Sequence, residues 1–309
     1  MTKLALLGGI YSNYRALEVA LSDVQRRGVD GVCCLGDLGA FGPYPDRVYP
    51  LLRAASVLCI QGNYDNSLAG GLADCQCGYT DPRDNYFARI SYDYTFRNTS
   101  EENKAWLRTL PLVRRLEVEG RRVLLCHGSP RKINEFLWES ASPDQFLEYL
   151  LDQATADVVC VTHTGIKWHR RLPKGRHFVN VGVLGRPEND GNTNVWYTLL
   201  SFDGTDVRVE FVPVVYDFLG LASDMRSERL PASHGSGRQA PSARAAPPGH
   251  RGSHLDRRRG AGDAGWVRSR APGGRLFEAS PQDPAGAAAG PGAGPIRGAA
   301  RARRRKSAD

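Results

Sequence analysis

At 309 residues the chain is long enough to bury a sizeable core, as one large domain or two small ones. Its net charge of +8 is unevenly spread: residues 231–309 carry 15 Lys/Arg against 5 Asp/Glu, leaving 26 against 28 in the rest. The basic character belongs to the tail, so the folded part is expected to offer neither a nucleic-acid nor a membrane surface.

Residues 3–7 are a short apolar run ending in Gly8-Gly9, which predicts a buried strand stopped by a tight turn. Ala16, Leu17, Val19, Ala20, Leu21 and Val24 recur at helical spacing up to Arg26-Arg27-Gly28. A second strand over 31–35 breaks at Gly36-Asp37, a helix covers 45–54, and a third strand over 57–61 breaks at Gly62-Asn63. Residues 66–98, rich in Asp, Asn, Tyr and Gly, read as loop with a short helix. Thr99-Ser100-Glu101-Glu102 has capping-box spacing and opens a helix to about 110. Strands at 113–118 and 122–126 flank a Glu119-Gly120 turn, and Ser142-Pro143 opens a helix to about 153. His169 with Arg170-Arg171 reads as a surface turn. Further strands are expected at 158–161, 177–181, 196–202 and 207–214, the last two joined by Asp203-Gly204. This is more strand than one parallel sheet needs, which favours two packed sheets with helices outside.

No run of 18 apolar residues predicts a transmembrane helix, and the segment before the first turn is too short for a signal peptide. Five cysteines (Cys33, Cys34, Cys59, Cys126, Cys160) lie in apolar strand-like runs and read as small buried hydrophobes. Cys75 and Cys77 sit in a polar loop and are the one pair to suspect of chemistry. A soluble cytoplasmic protein with reduced thiols is the expectation. Beyond Leu230 the character changes: Ala, Gly, Pro and Arg fill 55 of the 79 positions from 231 to 309. So few apolar side chains cannot offset the entropy of ordering, so the division is a domain at 1–230 and a disordered tail at 231–309. All four residue types have GC-rich codons, which leaves open a genuine tail or one read out of frame.

Five polar clusters follow the strands: Gly9-Ile10-Tyr11-Ser12-Asn13, Gly36-Asp37-Leu38-Gly39, Gly62-Asn63-Tyr64-Asp65, His127-Gly128-Ser129-Pro130 and Thr162-His163-Thr164-Gly165. The carboxyl edge of a sheet brings such loops together. Asp, Asn and two His from four strands form an oxygen–nitrogen donor set suited to manganese, iron or zinc. The pattern resembles the calcineurin-like metallophosphoesterases, in particular a small bacterial group with blocks S-D-I-H-G-N-x-x-A-L-E, G-D-x-x-G-x-G-P-x-P, G-N-H-D, H-G-S-P and G-H-T-H. Asn180-Val181-Gly182 with Gly185-Arg186-Pro187 is similar to that group's N-P-G-S-x-G-x-P segment. The resemblance covers about residues 3–230. It implies an α/β fold, a four-layer α-β-β-α sandwich of two mixed sheets, and a dinuclear centre that binds phosphate.

The departures fall on one metal. The ligands private to it are the Asp and His of the first block and the last His of G-H-T-H, which stand here as Gly9, Tyr11 and Gly165. The other metal's ligands are all present, as Asp37, Asn63, His127 and His163. The His of G-N-H-D is Tyr64, followed by Asp65. A phenol near pKa 10 donates a hydrogen bond at neutral pH but is a poor general acid–base there.

The resulting expectation is one divalent ion (Mn, Fe or Zn) on Asp37, Asn63, His127 and His163. Asn13, Tyr11 and Tyr64 are expected near the phosphate, with Tyr64 and Asp65 as doubtful catalytic groups. The leading reading is a sensor or regulatory pseudoenzyme that binds a phosphate-containing small molecule and hydrolyses it slowly or not at all. Two others stay open: a working phosphatase or phosphodiesterase, in which Tyr11 phenolate could restore the second metal, and a metal-free scaffold for a protein partner. Cys75-Gln76-Cys77 could fold over the site and add soft ligands, and Tyr64, Phe136, Trp138 and Trp168 could line a pocket or serve only as packing. Exposed strand edges leave a homo-oligomer open.

Overall fold

Alternation along the first strand sets the architecture. In β1 (Thr2–Leu7), Leu4 and Leu6 enter one apolar cluster while Ala5 and Leu7 enter another, as the two-residue period of a strand requires when both faces are covered. The computed structural model describes residues 1–204, 206–231 and 267–268, all within one compact unit, Met1–Phe277. The expected tail from 232 onward therefore lies outside the described residues, apart from Val267–Arg268.

Sheet one contains β1, β2 (Gly31–Cys34), β3 (Leu58–Cys59), β9 (Val195–Asp203) and β10 (Asp206–Val214), in the order β10-β9-β1-β2-β3. Its β1–β2 and β2–β3 pairs are parallel, and β9 runs antiparallel to both neighbours. Sheet two contains β4 (Val113–Val118), β5 (Arg121–Cys126), β6 (Val158–Val161), β7 (Lys167–Leu172), β8 (Arg176–Val181) and the two-residue β11 (Val267–Arg268), in the order β11-β4-β5-β6-β8-β7. Here β5, β6 and β8 are parallel, while β4 and β7 are antiparallel additions. Both sheets are mixed.

Leu4, Leu6, Leu35 and Ile60 meet Val123, Leu125, Cys160 and Val179 between the sheets. The outer face of sheet one packs on α1 (Tyr14–Arg26) and α2 (Val48–Ala54), and that of sheet two on α6 (Asp144–Ala154) through Leu147, Leu150 and Leu151. The four layers expected from the resemblance are thus present. The other helices are α3 (Asn63–Gly70), α4 (Pro82–Asn98), α5 (Glu101–Thr109) and α7 (Phe218–Ser227). None of the described helices is long and apolar enough to cross a membrane.

Four expectations need correction. The stretch 66–98 is mostly helical, and α4 alone has 17 residues. Its buried positions are Ala88, Ser91, Tyr92 and Thr95, a single aromatic among small residues, which leaves no apolar period to read. His169 with Arg170 and Arg171 is not a turn but part of β7, an edge strand with half-exposed side chains. The α5 cap is Ser100, which accepts from Asn103 N–H, one residue later than the capping box implied. Cys75 and Cys77 are joined to each other, their Cα atoms 5.2 Å apart where the loop doubles back. The other five cysteines are free and buried.

Candidate metal centre

Three carboxyl-end loops from two sheets converge. Asp37 follows β2, His127 follows β5 and His163 follows β6, and one ligand atom from each lies within 4.8 Å of the others. All three are buried. His127 Nε2 is 3.3 Å from Asp37 Oδ2 and 3.2 Å from His163 Nδ1. His127 Nδ1 donates to the Leu35 carbonyl at 2.6 Å, which leaves Nε2 as the ring's lone-pair nitrogen facing the cluster. Asp37 Oδ1 accepts from Tyr64 N–H at 3.1 Å, so Oδ2 is the freer oxygen.

Asn63 opens α3, one residue before that Tyr64 N–H. Its Nδ2 donates to the Cys75 carbonyl at 2.8 Å, which turns the amide so that Oδ1 is the atom left over. That Oδ1 is buried and has no hydrogen-bond partner, and neither has His163 Nε2. An unpartnered buried polar atom is costly, and the Asn63 amide oxygen left over beside this cluster of donors points to a ligand for it. The chemistry of the donors, one carboxylate, one amide oxygen and two imidazoles, fits a divalent transition ion.

Burial and mutual charge couple Asp37, His127 and His163. Burial works against charge on His127, yet the Asp37 carboxylate lifts its pKa above the ordinary value, and His127 in turn holds Asp37 below the carboxylate range. Burial, with the neighbouring His127 charge, drops His163 to about 3. The site concentrates backbone strain as well: Asp37 and His163 have φ of 56° and 62°, and Tyr11 and Ser12 have 51° and 56°. Left-handed non-glycine residues cost on the order of 1–3 kcal/mol each and persist only where the surroundings fix them. Gly62 is required by close approach, since a Cβ there would lie 2.5 Å from Asp37 N and 2.8 Å from His127 Cε1.

Asp65 serves the site without entering the donor set. Its carboxylate accepts from Asp37 N–H (2.6 Å), Gly62 N–H (2.9 Å) and Leu38 N–H (3.1 Å), tying the β2 loop to the start of α3. Burial and the Asp37 charge raise its pKa to about 7. The Tyr64 hydroxyl donates to Ser91 Oγ at 3.0 Å in α4, fully buried between Phe41 and Tyr92. Tyr64 also brings its backbone N–H to the cluster, through Asp37 Oδ1. Asn13 is likewise committed: its Oδ1 caps α1 at Ala16 N–H, and its Nδ2 donates to Gly185 O at 3.2 Å. It ties the loop after β1 to the loop after β8.

The second set of positions is filled. A Cβ on Gly9 would lie 2.6 Å from Tyr11 Cε1, so the Tyr11 ring takes the space a side chain at position 9 would need. Burial pushes the Tyr11 phenol well above its ordinary pKa, so without a metal it stays protonated. At Gly165, with φ of +79°, a Cβ would lie 3.2 Å from Arg186 Nη2. The Cys75–Cys77 loop does fold over Asn63, but its sulfurs bond to each other rather than standing free as ligands. Phe136 packs on His163 with ring centroids 4.3 Å apart and stacks on Trp138, which is 41% exposed. Trp168 is core, stacked on Phe178 with its indole N–H on Leu137 O. Arg186, in the Gly185-Arg186-Pro187 segment, has no role legible from its residue type, and only the fold brings it to Gly165 and the Tyr11 ring.

Comparisons with known proteins agree with this fold. The sequence matches the calcineurin-like phosphoesterase superfamily domain over residues 3–203. It is 27% identical over 242 residues to the uncharacterized protein MJ0912 of Methanocaldococcus jannaschii, covering 74% of this chain and 93% of that protein. Among solved structures, hypothetical protein PH1004 from Pyrococcus horikoshii OT3 superposes with a TM-score of 0.65 at 21% identity, covering 76% of this chain and 96% of that one. A metallophosphoesterase from Sphaerobacter thermophilus gives 0.58 at 24% identity, covering 76% and 98%. With the domain match running from β1 through β9 and taking in every loop of the cluster, the chain belongs to the calcineurin-like phosphoesterase superfamily.

Proposed function

We propose that this chain holds one divalent cation on Asp37, Asn63, His127 and His163, binds a phosphate-containing small molecule there, and hydrolyses it slowly or not at all. In this reading it acts as a sensor or regulatory partner. The observation that supports this most is the contrast between the two donor sets: Asn63 Oδ1 and His163 Nε2 are buried without partners, whereas a Cβ at position 9 would collide with Tyr11.

The residues divide the work. His127 is oriented by Leu35 O, Asn63 by Cys75 O, and Asp37 by the Tyr64 N–H and the Asp65 clamp. When bound, a divalent cation supplies Lewis-acid polarisation of a phosphoryl oxygen. Slow turnover follows from what the expected acid groups are doing. The Tyr64 hydroxyl is engaged by Ser91, and Asp65 accepts three backbone N–H groups, so neither is free to protonate a leaving group.

The test is metal content per chain on the full-length protein, alone and as Asp37→Asn, with hydrolysis of a phosphomonoester and a phosphodiester followed in both. One equivalent, lost in the variant, with phosphate binding but negligible turnover, is the expected result. Metal-dependent hydrolysis that vanishes in Asp37→Asn would replace this reading with a working phosphoesterase. No metal after loading with manganese, iron or zinc would leave a scaffold for a protein partner.

A further inference from the structure

The loop after β8 is pinned on the loop after β1. Leu184 N–H and Gly185 N–H both donate to Gly9 O, at 3.0 and 2.8 Å, and Asn13 Nδ2 holds Gly185 O from the other side. The contact is close enough that a Cβ on Gly185 would lie 2.6 Å from Ile10 O and from Tyr11 Cδ2. Behind it, Asn180 Nδ2 donates to Thr162 O and its Oδ1 accepts from Gly182 N–H, joining the end of β8 to the loop that carries His163. Arg186 therefore leaves a backbone fixed to two site loops, those after β1 and β6.

Its guanidinium projects over positions that carry no ligand. Nη2 lies 3.2 Å and Nε 3.8 Å from where a Cβ on Gly165 would be, and Cζ is 5.9 Å from the Tyr11 ring centroid. Burial raises the phenols of Tyr11 and Tyr79, and in both cases the Arg186 charge opposes it. Among the described residues Arg186 forms no ion pair, while Lys167 nearby is bound to Glu188 at 2.6 Å and Arg131 is paired with Glu135. Arg186 is exposed, so an anion can reach it.

We propose that Arg186 stands in for the absent second cation and grips two terminal oxygens of a phosphomonoester, whose third oxygen faces the Asp37, Asn63, His127 and His163 set. This rests on the single-metal phosphate reading above and narrows it. A guanidinium fork matches two phosphate oxygens at once, which an ammonium does not. A monoester has three non-bridging oxygens, enough for the fork and the cation together. A diester has two, so it must give up one contact, and the arrangement selects monoesters.

The test uses the full-length, manganese-loaded protein and calorimetric titration with inorganic phosphate, methyl phosphate and dimethyl phosphate. Arg186→Ala is expected to keep its metal equivalent and melting temperature and to bind methyl phosphate roughly tenfold or more weakly, the effect of losing a charged hydrogen-bond donor. Arg186→Lys should recover only part of that loss. Wild type should favour methyl over dimethyl phosphate, and Arg186→Ala should narrow the gap. Unchanged methyl phosphate affinity in Arg186→Ala, or equal affinity of wild type for the two esters, overturns the role of Arg186 and leaves the single-metal reading standing. Wild type that holds its metal yet binds none of the three overturns the phosphate reading itself.

Discussion

The Tyr11 ring lies where a side chain on Gly9 would have to go, with Cε1 at 2.6 Å and Cζ at 2.8 Å from the Cβ position. The two residues therefore form one unit: a bulky ring at 11 needs glycine at 9. Gly9→Ala should destabilise the protein by about 1–3 kcal/mol, the usual cost of overpacking a filled site. In a Tyr11→Ala background the same change should cost much less. A double-mutant cycle from urea unfolding would give a coupling energy of the order of 1 kcal/mol or more; additive effects would show that the ring simply moves aside.

How much of this could be read in the sequence differs by element. The strands and the loops after them were legible because each apolar run ends at a glycine or a polar cluster. The helix α4 was not, because it buries Ala88, Ser91 and Thr95 rather than a leucine stripe, although Asp81-Pro82 is a cap followed by Pro at the first helical position. The strand β7 was hidden by Lys167, His169, Arg170 and Arg171, charged residues that suit a sheet edge as well as a turn. At the site, residue type identified Asp37, His127 and His163 as neighbours. It could not say that Asn13 spends both ends of its amide on Ala16 and Gly185, or that Tyr64 turns its hydroxyl to Ser91. Hydrogen-bond commitments between loops distant in sequence leave no local pattern.

Asp65 offers a direct contrast between a positioning and a catalytic role. Asp65→Ala strands three buried backbone donors, each worth about 1–3 kcal/mol when unsatisfied. The expected outcome is a large fall in melting temperature together with weaker metal binding, because Asp37 N–H and Gly62 N–H lose their common acceptor. Asp65→Asn keeps one acceptor oxygen and should fall between. A wild-type melting temperature and metal affinity in Asp65→Asn, with altered turnover alone, would return Asp65 to a catalytic role.

Acid sensitivity should come in part from His177, away from the site. Its ring stacks on His169, the nitrogens 2.9 Å apart. Burial, followed by His169, Arg171 and Arg121, lowers its pKa from 6.5 to about 4, with Asp206 opposing. Between those values the unfolded chain binds a proton that the folded chain refuses, so stability is lost as pH falls from 6.5 towards 4 and levels off below. Urea unfolding at several pH values across that window should show a shallower decline in His177→Gln than in wild type. Parallel curves would assign the acid loss to other groups.

The filled second set also predicts what it takes to reopen it. Family resemblance gives Asp at position 9, His at 11 and His at 165 as the missing ligands. Tyr11→His should remove the ring that blocks position 9, so Gly9→Asp is tolerated only with it. His at 165 must accept φ of +79° and meets Arg186 Nη2 3.2 Å from its Cβ, so the flexible end of the guanidinium has to shift. The triple variant Gly9→Asp, Tyr11→His, Gly165→His should stay near one metal per chain while Arg186 is present, through steric conflict and through repulsion between its charge and a second cation. Adding Arg186→Ala should raise the content towards two equivalents, read by elemental analysis after equilibrium loading with manganese. Two equivalents in the triple variant with Arg186 still in place would show that the arginine does not occupy the space of the second ion.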